Sequence, residues 1–204
     1  MNQNGRGKTY LFNTFYLWSK SAQLNTITVA STGVASLQLF DGSTAHRALH
    51  LPLFTDITTF CNINKESKQA EILRKLDILI WDESPMQNRN DFETFDRTCR
   101  DIRSCNKAYG GLFVIHGGDM SQNCPVVKPF SRDKAVEASI VSSYIWPLLT
   151  KHHLYEDIRQ AHDPGLSNLQ TQIANGTIGE VEDAIGQFKF PLITIYLLIL
   201  LFLL

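Results

Sequence analysis

Gly7-Lys8-Thr9 heads an apolar helical pattern, and the acidic pair Asp82-Glu83 closes the apolar run Leu79-Ile80-Trp81. The first set suits the end of a phosphate-binding loop. There, backbone N–H groups face a phosphate, the lysine ammonium reaches its outer oxygens, and the threonine hydroxyl meets a metal ion. The second set suits a strand end where the aspartate holds the metal through water and the glutamate polarises an attacking water. Taken singly, Gly-Lys-Thr also reads as a turn before a helix, and Asp-Glu as a solvated strand end. Taken together at this spacing, they point to phosphoryl-transfer chemistry. A third strand end, Gly117-Gly118-Asp119-Met120-Ser121-Gln122, offers a glutamine that can sense a γ-phosphate by hydrogen bonding, or else a glycine-rich turn.

The phosphate-loop pattern G-x-x-x-x-G-K-[ST] is met only at its end. Gly5 keeps the loop interior free, but Asn2 stands at the first glycine position, and Asn4 and Arg6 fill places that suit small residues.

These residues need elements to hold them. Residues 10–20 carry Leu11, Phe12, Phe15, Tyr16 and Trp18 at near-helical spacing. Thr26–Ala30 is β-branched and predicts a buried strand. A short helix is expected over 33–39, ended by Asp41-Gly42, then a loop over 51–65 and a helix over 67–74. The acidic pair ends a strand over 76–81. A loop over 85–90, a charged amphipathic helix over 91–105, a strand over 111–116, a helix over 136–143 and a strand over 152–155 complete the pattern. Alternating helices and strands predict an α/β fold with a parallel sheet, and ligands in such sheets sit at the carboxyl ends of the strands. Asp82 and Asp119 both fall there.

Composition frames this reading. With 204 residues, 44% hydrophobic and 19% charged, the chain is globular in character. Its net charge of −1 gives no overall basic excess, so nucleic-acid binding would rest on a local groove. Four cysteines without a CxxC pair read as reduced thiols rather than a disulfide framework or zinc site. Residues 190–204 are almost wholly apolar but shorter than the roughly 17–20 residues of a membrane span. A tail anchor, a buried element and sequence foreign to the fold compete for this segment; the last is favoured and membrane attachment is not expected.

Ile80-Trp81-Asp82-Glu83-Ser84-Pro85-Met86 resembles the D-E-[AS]-P-M signature of the Pif family of superfamily 1 DNA helicases. Gly117-Gly118-Asp119 through Gln122, then Pro125-Val126-Val127, is similar to that family's G-G-D-x-x-Q-x-x-P-V-V motif. Ala30-Ser31-Thr32-Gly33-Val34-Ala35, followed by Gly42-Ser43-Thr44-Ala45-His46, resembles its A-S-[ST]-G-[IV]-A-A … G-x-T-A-H segment. Leu154 through Gln160 resembles its L-x-x-N-M-R-x motif, with Asp157 and Ile158 replacing the usual Asn and Met. Cys61-Asn62-Ile63 has a counterpart in the Helitron-like branch.

The resemblance implies a RecA-like P-loop domain over 1–160 that binds ATP and Mg²⁺, with an unassigned region over 161–189 and the apolar tail over 190–204. By family role, Gly5, Gly7, Lys8 and Thr9 would bind the nucleotide, and Thr9 and Asp82 the magnesium. Glu83 would activate water, Gln122 would couple the γ-phosphate to DNA contacts, and Arg159 would touch the γ-phosphate. Ser31, Thr32, Thr44 and His46 would contact single-stranded DNA through its phosphates. The first strand and adenine-contacting segment, expected before residue 1, and the second motor domain, expected after about residue 180, are missing from this reading. The family's activity would be 5′-to-3′ movement on single-stranded DNA with unwinding of forks. Its roles would be in repair, recombination and telomere maintenance, or in transposon replication, in the nucleus. The rival is a non-catalytic nucleotide- or DNA-binding relic.

Other constellations carry less. His46 and His50 are spaced like a helical metal pair but lack the accompanying glutamate. Asp91, Glu93, Asp96, Arg97, Arg100, Asp101 and Arg103 read most simply as a solvated, mixed-sign helix face. Trp18 and Trp81 are expected in the core, and Phe12, Phe15, Tyr16 and Trp146 are expected to pack rather than to stack on bases.

Overall fold

The computed structural model describes residues 7–120, 125–128 and 131–154. Gly5, Gln122 and Arg159, and the segments 161–189 and 190–204, lie outside the described residues.

Helix α1 (Lys8–Ser21) leads into strand β1 (Thr26–Ala30), then α2 (Gly33–Ser36), β2 (Ser43–Thr44) and α3 (Ala45–Ala48). After the loop follow α4 (Lys68–Lys75), β3 (Ile78–Asp82), α5 (Arg89–Arg103), β4 (Phe113–His116) and α6 (Arg132–Ala138). The four strands are all parallel, in the order β2-β1-β3-β4. Such a sheet must be covered on both faces, and strand period assigns the residues. Ile78 and Ile80 pack with Ala30 against Phe12 and Tyr16 of α1. Leu79 and Trp81 pack with Val29 against Phe92, Phe95 and Cys99 of α5. β3 is buried along its whole length, as its unbroken apolar run requires.

The expected elements stand close to their sequence bounds, with instructive exceptions. α2 stops at Ser36, three residues early, because Leu39 turns inward into the core and the chain bends back at Asp41-Gly42. The Asp41 carboxylate accepts the Tyr16 hydroxyl there. α4 begins where Ser67 caps it, its hydroxyl accepting the Ala70 N–H at 3.2 Å, a contact worth about 1 kcal/mol. α6 begins at Arg132, earlier than expected, because Ser131 caps it. Extended Ser139 then breaks it and caps a separate turn, Ile140–Ser142.

Residues 152–154 form no strand. Lys151, His152 and His153 are exposed in succession, so the in–out alternation of a half-buried strand is absent. Trp81 is fully buried, but Trp18 is 54% exposed. Trp18 lies about 200° around the helix from the inward-facing Tyr16. Phe15, pairing edge-on with Trp18 at 6.0 Å, is also exposed, whereas Trp146 packs half-buried against the core.

The largest correction concerns α5. Three of its four acidic side chains are not solvated: Asp91, Glu93 and Asp96 are buried, and Asp101 alone is exposed as expected. The helix lies between the sheet and the segments around Thr55, Cys61, Tyr109 and Ser143, so most of its circumference is covered. Among the described residues, no helix is long and apolar enough to cross a membrane.

Candidate active site

Parallel strands place their carboxyl ends along one edge of the sheet. Ala30 is in register with both Thr44 and Asp82, and Trp81 with His116. Ser31 and Thr32, Thr44 and His46, Asp82 and Glu83, and Gly117–Asp119 therefore leave the sheet at the same end. α1 brings Lys8 there too. Gly7, in front of it, adopts left-handed backbone with φ 79°, a conformation cheap for glycine alone.

The Lys8 side chain is buried, and its Nζ lies 3.8 Å from Glu83 Oε1. Among the described residues Lys8 Nζ makes no hydrogen bond, and Glu83 Oε2 receives none. Asp82 is buried at the β3 terminus, and its Oδ1 accepts the Glu83 N–H at 2.8 Å. Burial pushes the carboxyls of Asp82 and Glu83 above the usual range. For Glu83 the Lys8 ammonium opposes that shift, while the negative charges of Asp82 and Asp119 add to it. The Lys8 ammonium thus lies beside the half-buried Glu83 carboxylate, next to buried Asp82, and a divalent cation would relieve the crowding of negative charge there. No cluster of three or more metal-ligating side chains occurs among the described residues. Thr9 and Asp82 could therefore hold Mg²⁺ only with phosphate oxygens and water completing its shell, which is how this hard cation binds at nucleotide sites.

The acidic pair and the glycine pair are built into each other. Gly117 N–H donates to Trp81 O, and Ser84 N–H donates to Gly117 O, both at 2.8 Å. A Cβ on Gly117 would stand 2.1 Å from Phe12 Cζ, and one on Gly118 would stand 2.1 Å from Pro85 Cδ. Only backbone fits where α1, the D-E-S-P turn and the G-G-D turn converge. Glu83 itself has left-handed backbone, φ 52° and ψ 36°, which is costly for a residue with a side chain.

The expected DNA-contacting residues form a second row along the same edge. Ser31 N–H donates to Asp82 O at 3.1 Å, which ties that row to the acidic strand. Thr32 caps α2, its hydroxyl accepting the Ala35 N–H at 3.2 Å. Thr44 and His46 are half-buried at the start of α3. Sequence reasoning did not single out Ser84, His116 and Tyr109, whose hydrogen bonds back the Glu83 turn. Ser84 lay within a quoted motif, but no spacing links it to the other two.

A family model described as PIF1-like helicase matches residues 2–183. The ATP-dependent DNA helicase Pif1 of Psychrobacter sp. (strain PRwf-1) is 27% identical over 124 residues, covering 60% of this chain and 19% of that protein. The ATP-dependent DNA helicase PIF3 of Trypanosoma brucei brucei (strain 927/4 GUTat10.1) is 33% identical over 118 residues, covering 58% of this chain and 14% of that protein. The Bacteroides Pif1 helicase, solved in complex with ADP-AlF3 and single-stranded DNA, superposes with a TM-score of 0.71 at 28% identity. That match covers 94% of this chain and 46% of the solved one. The chain therefore spans less than half the length of each of these relatives.

Proposed function

The chain belongs to the PIF1-like helicase family, and on that basis we propose that it carries the Mg·ATP site of a DNA-translocating motor. The observation that supports this most is the pairing of a buried Lys8 ammonium with a half-buried Glu83 carboxylate at the sheet's carboxyl end, each keeping a buried polar atom without a hydrogen bond among the described residues. Phosphate oxygens would complete Lys8, and a water would complete Glu83. Thr9 and Asp82 would hold the magnesium, which when bound neutralises charge developing on the phosphates. Glu83 would draw a proton from the attacking water, and its raised carboxyl makes it a better base than an exposed glutamate. Gln122 and Arg159 would act at the γ-phosphate. The row formed by Ser31, Thr32, Thr44 and His46 would hold the single strand by its phosphates, without reading sequence.

In the whole motor this cycle would drive 5′-to-3′ movement and the opening of forked DNA. It would serve repair, recombination and telomere maintenance in the nucleus. A second reading, nucleotide or DNA binding without turnover, draws support from Asn2 and Asn4 in the loop.

DNA-stimulated ATP hydrolysis by the full chain separates the two. Turnover that requires single-stranded DNA and vanishes in Lys8→Ala and Glu83→Gln supports the motor reading. Nucleotide binding without turnover in the folded wild-type chain favours the second.

A further inference from the structure

Glu83 is the group that would touch the attacking water, yet its backbone sits in the left-handed region that is costly for a residue with a side chain. Such a conformation persists only where the surroundings over-determine it. The residue after it supplies the anchor. Ser84 is buried, its N–H is fixed to Gly117 O, and its hydroxyl donates to Trp81 O at 3.0 Å. The same oxygen lies 3.2 Å from His116 Nδ1, and His116 Nε2 lies 3.0 Å from the Tyr109 hydroxyl.

The proton inventory of this chain is restrictive. A serine hydroxyl donates once, and here it donates to Trp81 O, so toward His116 it must accept. His116 then carries its proton on Nδ1, and Nε2 accepts from Tyr109. The imidazole ring is enclosed by Trp81 at 5.9 Å, Phe92 at 5.3 Å and Tyr109 at 5.7 Å. Burial pushes its pKa down to about 4, in keeping with a neutral ring that uses both nitrogens. Beyond the ring, Tyr109 is itself held: its backbone is left-handed at φ 52°, and its N–H donates to Asp96 Oδ1 at 2.5 Å. A directed line of hydrogen bonds therefore runs from the Tyr109 hydroxyl through His116 to Ser84, in the turn that follows Glu83, and the buried α5 carboxylate of Asp96 anchors its start by accepting the Tyr109 N–H.

We infer that Tyr109, His116 and Ser84 are positioning residues, a relay that holds the left-handed turn at Glu83 and so sets where its carboxylate meets the attacking water. The inference rests on the reading of Glu83 as the water-activating base. None of the three touches nucleotide-binding Lys8 or Thr9 in the contacts described, so the relay acts on the hydrolytic step and leaves nucleotide binding alone.

The test is His116→Phe in the full chain, which keeps a ring and removes both hydrogen bonds. Single-stranded-DNA-stimulated kcat falls about 10- to 100-fold, the range typical of supporting residues behind a reactive group. The dissociation constant for Mg·ATP, read with a fluorescent ATP analogue, stays within twofold. His116→Gln, whose amide can accept from Tyr109 and donate to Ser84, regains at least part of the rate. An unchanged kcat overturns the proposal, as does a loss of rate matched by an equal loss of nucleotide affinity.

A second readout is independent of turnover. Carbon-13 shifts of Glu83 report its backbone region, and they move away from left-handed values in His116→Phe and Ser84→Ala. Should the wild-type chain hydrolyse nothing, the hydrolase reading falls, and these shifts alone decide the relay. Unchanged Glu83 signals overturn it, and displaced ones support it.

Discussion

Two groups of buried acids lie a few residues apart in this chain and are treated in opposite ways. On α5, every buried carboxylate has partners. Asp91 accepts the Thr55 hydroxyl at 2.7 Å and the Gln87 amide at 2.5 Å, and Glu93 accepts the Ser143 hydroxyl at 2.9 Å. Asp96 accepts the Tyr109 N–H and the Tyr144 hydroxyl and lies 2.7 Å from Arg100 Nε. At the carboxyl end of β3, Asp82 accepts its neighbour's N–H while Glu83 faces Lys8 at 3.8 Å, beyond hydrogen-bonding distance. A buried charge without a hydrogen bond costs stability, and a fold keeps one where a ligand supplies what is missing. The α5 acids hold segments together, whereas the β3 acids leave Glu83 Oε2 without a hydrogen bond among the described residues, as the proposed site requires.

The sharpest way to break this contrast is to remove the charges at the sheet end and follow turnover. Lys8→Ala and Glu83→Gln are each expected to lower DNA-stimulated hydrolysis by a factor of about 10²–10⁴, the usual worth of such groups. Both variants should remain folded by circular dichroism. Residual turnover above a tenth of wild type in Glu83→Gln would remove Glu83 from the base role.

The counterpart on α5 moves stability instead. Asp96→Ala strips the partner from the Tyr109 N–H, the Tyr144 hydroxyl and the Arg100 guanidinium at once. The expected loss is about 2–4 kcal/mol, read from the urea midpoint. A loss under about 0.5 kcal/mol would mean that water replaces those bonds and that the acid is not structural.

This contrast also marks what could be read from sequence. The strands at Thr26–Ala30 and Ile78–Asp82 announced themselves through unbroken β-branched and apolar runs, because a parallel strand is buried on both faces. That Lys8, Asp82 and Glu83 would meet was legible from the motifs, because they sit at a helix start and a strand end of one parallel sheet. Asp91, Glu93 and Asp96 were misread as solvated because their partners lie far along the chain: Tyr109 is 13 residues from Asp96, and Ser143 is 50 from Glu93. Helical periodicity carries no record of such pairings. Nor does it show that His116 meets Ser84 across 32 residues, or that Trp18 would face outward.

Packing beside the β3 acids, between α1 and the G-G-D turn, gives a smaller effect. Gly117→Ala drives a methyl to within 2.1 Å of Phe12 Cζ, so either the ring or the turn must shift. The expected cost is about 1–3 kcal/mol. Adding Phe12→Leu should return part of it, in a double-mutant cycle by chemical denaturation. Strict additivity of the two changes would mean that the clash is absorbed elsewhere.

The smallest effect has the opposite sign and tests the contrast most directly. Burial raises the folded-state pKa of Glu83 and Asp82 above the unfolded value. Between those two values the folded chain binds more protons than the unfolded one, so these groups make stability rise as pH falls from neutrality and plateau below the ordinary carboxylate range. Other acids push the other way. Asp56 is held down to about 2 by the Thr59 hydroxyl and by Thr58, and Glu71 is lowered by Lys75. A comparison of variant with wild type cancels their contribution. Glu83→Gln removes the buried charge while keeping the side chain's shape. It should raise stability at pH 7 by about 1 kcal/mol, or about 2–4 °C in Tm, with a shallower gain on acidification. A variant that loses turnover and gains stability is what a functional, poorly paired acid requires. A Glu83→Gln chain that melts below wild type at pH 7 would show instead that the Lys8–Glu83 pair holds the fold together, and the two groups of buried acids would then differ only in degree.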